Sequence, residues 1–205
     1  MAITTYTTLQ TAVSSWLDRT DLTDRAPEFI ALAEAQMQRR LNVREMESLS
    51  DLTITSGAAT IPTGYLRPKS FKLTVYPYSA ISYVQPDDPN INASVATLTG
   101  APLYYTAVGT QFLFSSNDSG YTARLRYVAR FTPLSSDAPT NWLLTNHPDV
   151  YLYGALLQAA PWLREDERIG IWQGFYETIM EDINRVDRDG RIGASLEPRI
   201  QTGVI

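Results

Sequence analysis

Cysteine is absent from the 205 residues, and histidine occurs once, at position 147. The first absence removes disulfides, thiol catalysis and cysteine-ligated zinc together, and it fits folding in a reducing cytoplasm. The second leaves His147 as the residue on which any Ser-His-Asp triad or histidine-containing metal site must be built. Long apolar runs are also missing. The longest uncharged apolar stretch, Val150 to Leu163, contains Gly154 and Pro161 and falls short of the roughly 20 residues that cross a bilayer, so it reads as a buried helix. Met1 to Gln10 has neither a basic region nor an apolar core, and no signal peptide is expected there. Positive charge is in deficit: 17 Lys and Arg stand against 22 Asp and Glu, a net charge of −5. That is the wrong sign for gripping phosphates, though it suits a surface past which DNA slides without sticking. Gly-rich phosphate loops, G-x-S-x-G elbows and H-E-x-x-H pairs are absent as well, so the common signatures of nucleotide, esterase and protease chemistry are missing.

What is present is core material. With 44% apolar and 11% aromatic residues, the chain can fill one large domain or two small ones. Leu9, Val13, Trp16 and Leu17 share a helical face, with Thr5, Thr7 and Thr8 upstream as caps. After a turn-like Asp18 to Asp24, Pro27 suits a first helical turn, and Ile30, Ala33, Met37 and Leu41 repeat on one side, with Arg39, Arg40 and Arg44 near the C-terminal end. From about Leu49 the period changes from 3.6 to 2. Leu52 and Ile54 lead through Ser56-Gly57 to Ala59 and Ile61 as a hairpin; Phe71, Leu73 and Val75 alternate with Lys72 and Thr74; Leu103 to Val108 meets Phe112 to Phe114 across Gly109-Thr110. In Tyr121 to Phe131 the apolar Tyr121, Ala123, Leu125, Tyr127, Ala129 and Phe131 alternate with a largely basic face holding Arg124, Arg126 and Arg130. Gln85 to Gly100 reads as a loop with a short helix at Ile91 to Leu98. A helix capped by Asn146 or Asp149 follows through Val150 to Ala160, apolar on nearly all sides. Glu165-Asp166-Glu167 then opens another, patterned by Ile169, Trp172, Tyr176, Ile179, Ile183 and Val186.

The fold class expected is α+β: residues 1–48 and 132–188 form a helical bundle, 49–131 an inserted β-domain, and 189–205 an extended C-terminal arm. Candidates for chemistry have bland readings beside the sharp ones. His147 precedes Pro148-Asp149 at a helix start, where turn geometry accounts for it. The acidic runs Asp87-Asp88, Glu165-Asp166-Glu167 and Glu181-Asp182 read as helix-start or solvated charge. Tyr104, Tyr105, Phe112, Phe114, Tyr121 and Tyr127 could stack sugars, but at strand spacing they read as core. No catalytic, cofactor or metal site is expected. The Arg124, Arg126 and Arg130 row is a candidate subunit or tail interface.

Several stretches resemble the head-to-tail adaptor proteins of tailed bacteriophages. They are Tyr6-Thr7-Thr8-Leu9-Gln10 with Trp16-Leu17, Phe29-Ile30-Ala31-Leu32-Ala33-Glu34-Ala35, Gln38-Arg39-Arg40-Leu41 with Arg44-Glu45-Met46-Glu47, Gly100-Ala101-Pro102 with Tyr105 and Gly109, Thr140-Asn141-Trp142-Leu143-Leu144, Pro148 to Leu156, and Leu163 to Arg168. These are packing patterns and not a catalytic motif. The resemblance implies a structural virion protein at the head-tail junction, in a ring that is dodecameric by family analogy. Its partners would be the portal and a tail or nozzle protein, with genomic DNA passing through the lumen unread and no membrane or cofactor involved. Short amphipathic helices that bury little area alone fit a monomer ordered by the portal. The C-terminal arm, through Arg188, Arg191, Arg199 and Ile200, is the expected portal clamp. The competing readings are a tail-side stopper or terminator, a carbohydrate-binding module using exposed tyrosines, and a hydrolase relying on His147.

Overall fold

The computed structural model describes residues 2–76, 78–92, 99–163 and 167–191. It is a mixed α and β protein whose chain divides into two compact units: Met1–Glu45 with Phe131–Ile205, and Met46–Arg130.

The first unit is helical. Helix α1, Tyr6–Leu17, starts in a capping box: the Thr5 hydroxyl accepts from the Thr8 N–H, and Thr8 Oγ1 accepts from the Thr5 N–H at 2.9 Å. These bonds satisfy donors that a helix start leaves unpaired. Leu9, Val13 and Leu17 are buried, whereas Trp16 is 45% exposed, so the inward stripe runs at spacings of four and leaves the tryptophan outside. The expected turn after it holds a 3-10 helix, Thr20–Arg25. Helix α2, Ala26–Arg40, carries Pro27 in its first turn and buries Phe29, Ile30, Ala33 and Met37.

The chain returns to this unit through a short helix that the sequence pattern did not reveal, Trp142–Asn146, capped by Asn141 Oδ1 on the Leu144 N–H at 2.9 Å. The cap residue is therefore Asn141. The next helix, Pro148–Gln158, begins on its proline without a side-chain cap and buries Val150, Tyr151, Leu152, Ala155 and Leu156, as its all-round apolarity predicts. Gly154 lies close against Ala33, Met37 and Tyr176. A Cβ there would lie 2.7 Å from Met37 Cε, 3.3 Å from Ala33 Cβ and 3.1 Å from the Tyr176 ring, so an added methyl would displace the Met37 terminus and crowd the other two.

The last helix, Arg168–Arg191, buries Trp172, Tyr176, Met180, Ile183 and Asp187. The predicted stripe differs at its end: Val186 is 66% exposed and Asp187 is buried in its place. Helix geometry drifts against a fixed three-four alternation, and the inward positions after Tyr176 fall on 180, 183 and 187. The helix also runs to Arg191, beyond the Arg188 end that the sequence suggested, because Asp187 accepts from Arg191 one turn on at 2.6 Å and Arg44 lies against Gly190. Arg164 to Asp166, from which a helix start was expected, lie outside the described residues.

The second unit is β. Strand β1, Glu47–Thr53, pairs antiparallel with β7, Thr122–Ala129, which also pairs with β3, Tyr65–Leu73, giving the order β1-β7-β3. Pro68 sits in β3 at a register irregularity, which an edge strand tolerates because no ladder donor is lost. A second sheet has the order β2-β6-β5-β4, with β2 Ala58–Thr60, β4 Ser82–Tyr83, β5 Tyr104–Val108 and β6 Gln111–Phe114. Ser56 and Gly57 both have positive φ, at 51° and 73°, the mirror-image turn that hairpins favour. That hairpin closes on a single bridge, Thr55 with Ala58, before its strands part into different sheets. The predicted hairpin at Gly109-Thr110 forms with Val108 opposite Gln111. The parallel pairing of β4 with β5 had no pattern to announce it. A short helix, Pro89–Asn92, replaces the start of the expected one, and 93–98 lie outside the described residues.

Residues of both sheets share one core, built from Ile54, Phe71, Leu73, Ile81, Tyr105, Phe112, Phe114, Ala123, Leu125 and Tyr127. It is strongly aromatic: Phe71 meets Phe112 edge-on at 5.1 Å and Phe114 at 5.7 Å, and Tyr65 meets Phe112 at 5.4 Å. Such pairs add about 0.5–1.5 kcal/mol each to the burial term. The reading of these rings as core, and not as a sugar platform, holds for Tyr105, Phe112, Phe114 and Tyr127.

Candidate assembly surfaces

Two buried carboxylates hold the helical unit's distant segments in register. Glu34, 4% exposed, accepts the Leu134 N–H at 2.8 Å and the Tyr151 hydroxyl at 2.9 Å. Asn141 donates to that hydroxyl at 2.7 Å and to the Thr132 carbonyl at 2.8 Å. Burial raises the Glu34 pKa above its ordinary value, against the pull of its two donors, and burial beside Glu34 raises the Tyr151 pKa. Asp187, 6% exposed, accepts the Arg44 main-chain N–H at 2.9 Å, Arg44 Nε at 3.1 Å and Arg191 Nε at 2.6 Å. Burial alone would raise its pKa, but these donors together hold it below the usual carboxylate value. Neither residue figured among the sequence candidates. The signal for each was an acid falling on an otherwise apolar helical stripe.

Outside that interior the helices carry apolar side chains that the unit's core does not use. Trp16 packs edge-on to Tyr153 at 6.0 Å, and Tyr153 tilts against Phe175 at 5.3 Å. Phe175 is 51% exposed, and Ile171, one turn before it, is 59% exposed. Arg168 covers the Trp172 ring at 5.1 Å and donates to the Trp16 carbonyl at 3.2 Å. The result is an aromatic and aliphatic face bordered by an arginine, the composition that interface cores favour.

Of the expected portal-clamp residues, Arg188 and Arg191 lie at the end of the last helix, while Arg199 and Ile200 lie outside the described residues. Arg188 is exposed and lines a groove of about 470 Å³ with Arg40, Met180, Asp182 and Arg185. Arg40 is held by Glu177 through paired hydrogen bonds, and Arg185 by Asp182 at 2.7 Å. Arg191 is engaged with Asp187, one turn before it in the same helix.

In the β unit, Arg124 and Arg126 do share the exposed face of the three-stranded sheet, as alternation predicts. The sequence reading missed their partners. Arg124 binds Asp51 through two hydrogen bonds, at 2.7 and 2.8 Å, and Arg126 binds Glu47 at 2.7 Å. Lys69 approaches Glu47 at 3.8 Å. The basic row is thus a charge-balanced face, and the spacing of Glu47 and Asp51, an even number of residues apart in one strand, was the available clue. Arg130 is exposed; its main-chain N–H binds the Gly64 carbonyl at 2.7 Å, and among the described residues its side chain has no ion-pair partner. Between β3 and β4 the chain turns through Val75 to Tyr78, closed by the Tyr78 N–H on the Val75 carbonyl at 2.8 Å. Tyr76 is 83% and Tyr78 66% exposed at this tip.

His147 occupies the position before Pro148 and lines a cavity of about 320 Å³. No group of three or more His, Cys, Asp or Glu side chains suited to a metal occurs among the described residues, and no described helix is long and apolar enough to cross a membrane.

Among the described residues the side chains thus form interlocked carboxylates inside, uncovered aromatics outside and a charge-balanced sheet face. A family model described as SU10 adaptor protein matches residues 4–199, nearly the whole chain. The chain belongs to that family, a family of phage structural adaptors, in agreement with the resemblance drawn from its packing motifs. No curated protein matches it.

Proposed function

We propose that the protein is a non-enzymatic head-to-tail adaptor that forms a ring beneath the portal of the filled capsid and joins it to the tail. The family match over residues 4–199 carries this reading. The helical unit contacts neighbouring subunits and the portal, and the β-domain inserted between its segments reaches toward the tail. The face of Trp16, Ile171 and Phe175 suits the first role, and the exposed Tyr76 and Tyr78 tip the second, since rigid aromatics carry much of the energy of protein interfaces. The C-terminal arm, with Arg188, Arg191, Arg199 and Ile200, clamps the portal. Arg124, Arg126 and Arg130 face a neighbouring subunit or the tail. DNA crosses the ring's lumen past an acidic protein without being read. The free protein is a monomer that the portal orders.

Sedimentation velocity of the protein, alone and mixed with the portal protein of the same phage, tests the proposal. The expected result is a lone monomer that joins portal particles in several copies. A monomer that ignores the portal but binds tail particles would replace the adaptor with a tail-side stopper.

A further inference from the structure

The balance of charge between β1 and β7 does not extend to the third strand of their sheet. On the same outward face, β3 sets Lys72 opposite Arg124, Ser70 opposite Arg126 and Arg67 opposite Val128. Lys69 stands at a register irregularity beside Pro68 and reaches Glu47 at 3.8 Å, a carboxylate that Arg126 already holds. Five cations, Arg67, Lys69, Lys72, Arg124 and Arg126, therefore meet two carboxylates, Glu47 and Asp51, an excess of three positive charges in a chain whose net charge is −5. Arg67 and Lys72 are exposed and meet no carboxylate among the described residues. Leu49, in register with Arg126 on this face, is 64% exposed.

Lysine on an edge strand guards against pairing with another sheet, and this accounts for Lys69 beside Pro68. It does not account for Lys72, whose flank is already covered. Lys72 bridges to Ala80, the Leu73 N–H binds the Ser79 carbonyl at 2.9 Å, and the Ile81 N–H binds the Phe71 carbonyl at 3.0 Å. Nor does Lys72 help the sheet itself, since like charges directly opposite on neighbouring strands repel. A residue that breaks a local rule without a gain inside the fold marks a functional surface, and this one calls for an anionic partner. Leu49 favours a protein over a nucleic acid, because a phosphate backbone gives an exposed leucine nothing to pack against. The chain carries an acidic surface of its own. Within Met46–Arg130 six Lys and Arg stand against five Asp and Glu, which, out of 17 and 22 in all, leaves the helical unit 11 against 17. Resting on the ring reading, we propose that the outward face of β1, β7 and β3, through Lys72, Arg67 and Leu49, docks on the acidic helical unit of a neighbouring copy. Such a contact joins unlike surfaces, so each copy keeps one of either kind for the next, the arrangement from which rings close.

The composition makes the contact readable, because Lys69 and Lys72 are the two lysines of the whole sequence. Equal amounts of isotopically heavy and light full-length chain are loaded on portal particles of the same phage and treated with a carbodiimide, which joins an amine to a carboxylate in contact with it. The result expected is mixed-isotope peptide pairs that link Lys72 or Lys69 to acidic residues of the helical unit. Arg67→Glu combined with Lys72→Glu should lower loading by about tenfold or more, since it sets like charges across the contact. The same variant should unfold at the wild-type midpoint or above it, followed by tyrosine near-ultraviolet circular dichroism, because a carboxylate opposite Arg124 removes a repulsion. Lost loading is then not lost folding. If the wild type leaves the portal bare, the ring reading falls and this contact falls with it. If the wild type loads and the double variant loads equally, or if the lysines link to carboxylates of the portal alone, the ring stands and the contact is overturned. Duplex DNA held by the wild type and released by the double variant, at unchanged loading, would also overturn it and make the face a nucleic-acid surface.

Discussion

The two units are stabilised by different means. The β unit, made from one continuous stretch, closes on a core of interleaved rings, Phe71, Tyr105, Phe112 and Phe114, and keeps its charges on the exposed sheet face. The helical unit is made from two segments separated by the whole of the β unit, and it buries Glu34 and Asp187 between them. Non-directional packing suffices when neighbours in sequence are neighbours in space. Segments that meet after a long detour gain register from directional bonds, because a buried carboxylate left without its donors carries a full desolvation cost.

The largest effect expected is in the β core. Phe112→Ala should cost about 3–5 kcal/mol, read by denaturant unfolding followed through tyrosine near-ultraviolet circular dichroism, because the lost ring leaves a cavity among residues that cannot all collapse. Trp16, Trp142, Trp162 and Trp172 all lie in the helical unit, so tryptophan emission reads the other half of the comparison. Asp187→Ala should shift that emission transition by about 1–3 kcal/mol, since it strands the Arg44 N–H and two guanidinium groups. An unchanged tryptophan transition would remove the claim that buried carboxylates register the helical segments.

The two carboxylates should differ in sign. Glu34 has a folded pKa raised above its ordinary 4.5, so its ionisation opposes folding. Stability is fully present below that value and declines as pH rises through the folded pKa. Glu34→Gln, whose side-chain oxygen can still accept both bonds, should flatten that decline in a pH series of midpoints. Asp187 has a folded pKa depressed below 3.8, so its contribution is present above that value and is lost as pH falls through the folded pKa. Smallest of all, Arg124→Ala should leave both unfolding transitions unchanged, because its pair with Asp51 is open to solvent on both sides. A measurable loss there would show that the sheet's charged face shares in holding the β unit together.

Much of this was legible from spacing alone. The stripe Ile30, Ala33, Met37 and Leu41 and the alternation through Ala123, Leu125 and Tyr127 identify buried faces because apolar period and burial coincide there. Reading failed where the deciding group was polar or the element short. Asp187 looks like a surface acid until the helix's drift places it inward. The helix Trp142–Asn146 is too brief for a period to show, and only its Asn141 cap announces it. Leu49 sits on a strand yet is 64% exposed, since it shares the outward face with Glu47 and Asp51. The assembly surfaces were harder still. The arginine row was visible, but its neutralising partners belong to a strand some 75 residues away in sequence, and the unused aromatics Phe175 and Tyr76 differ from core aromatics only in what the fold leaves uncovered.

The central claim, a ring of this protein on the portal, is tested most directly by electron cryo-microscopy of portal particles incubated with the full-length chain. The account predicts a second tier of density beneath the portal, in the portal's own symmetry, into which the helical and β units fit. Portal particles that stay bare at saturating protein would contradict it.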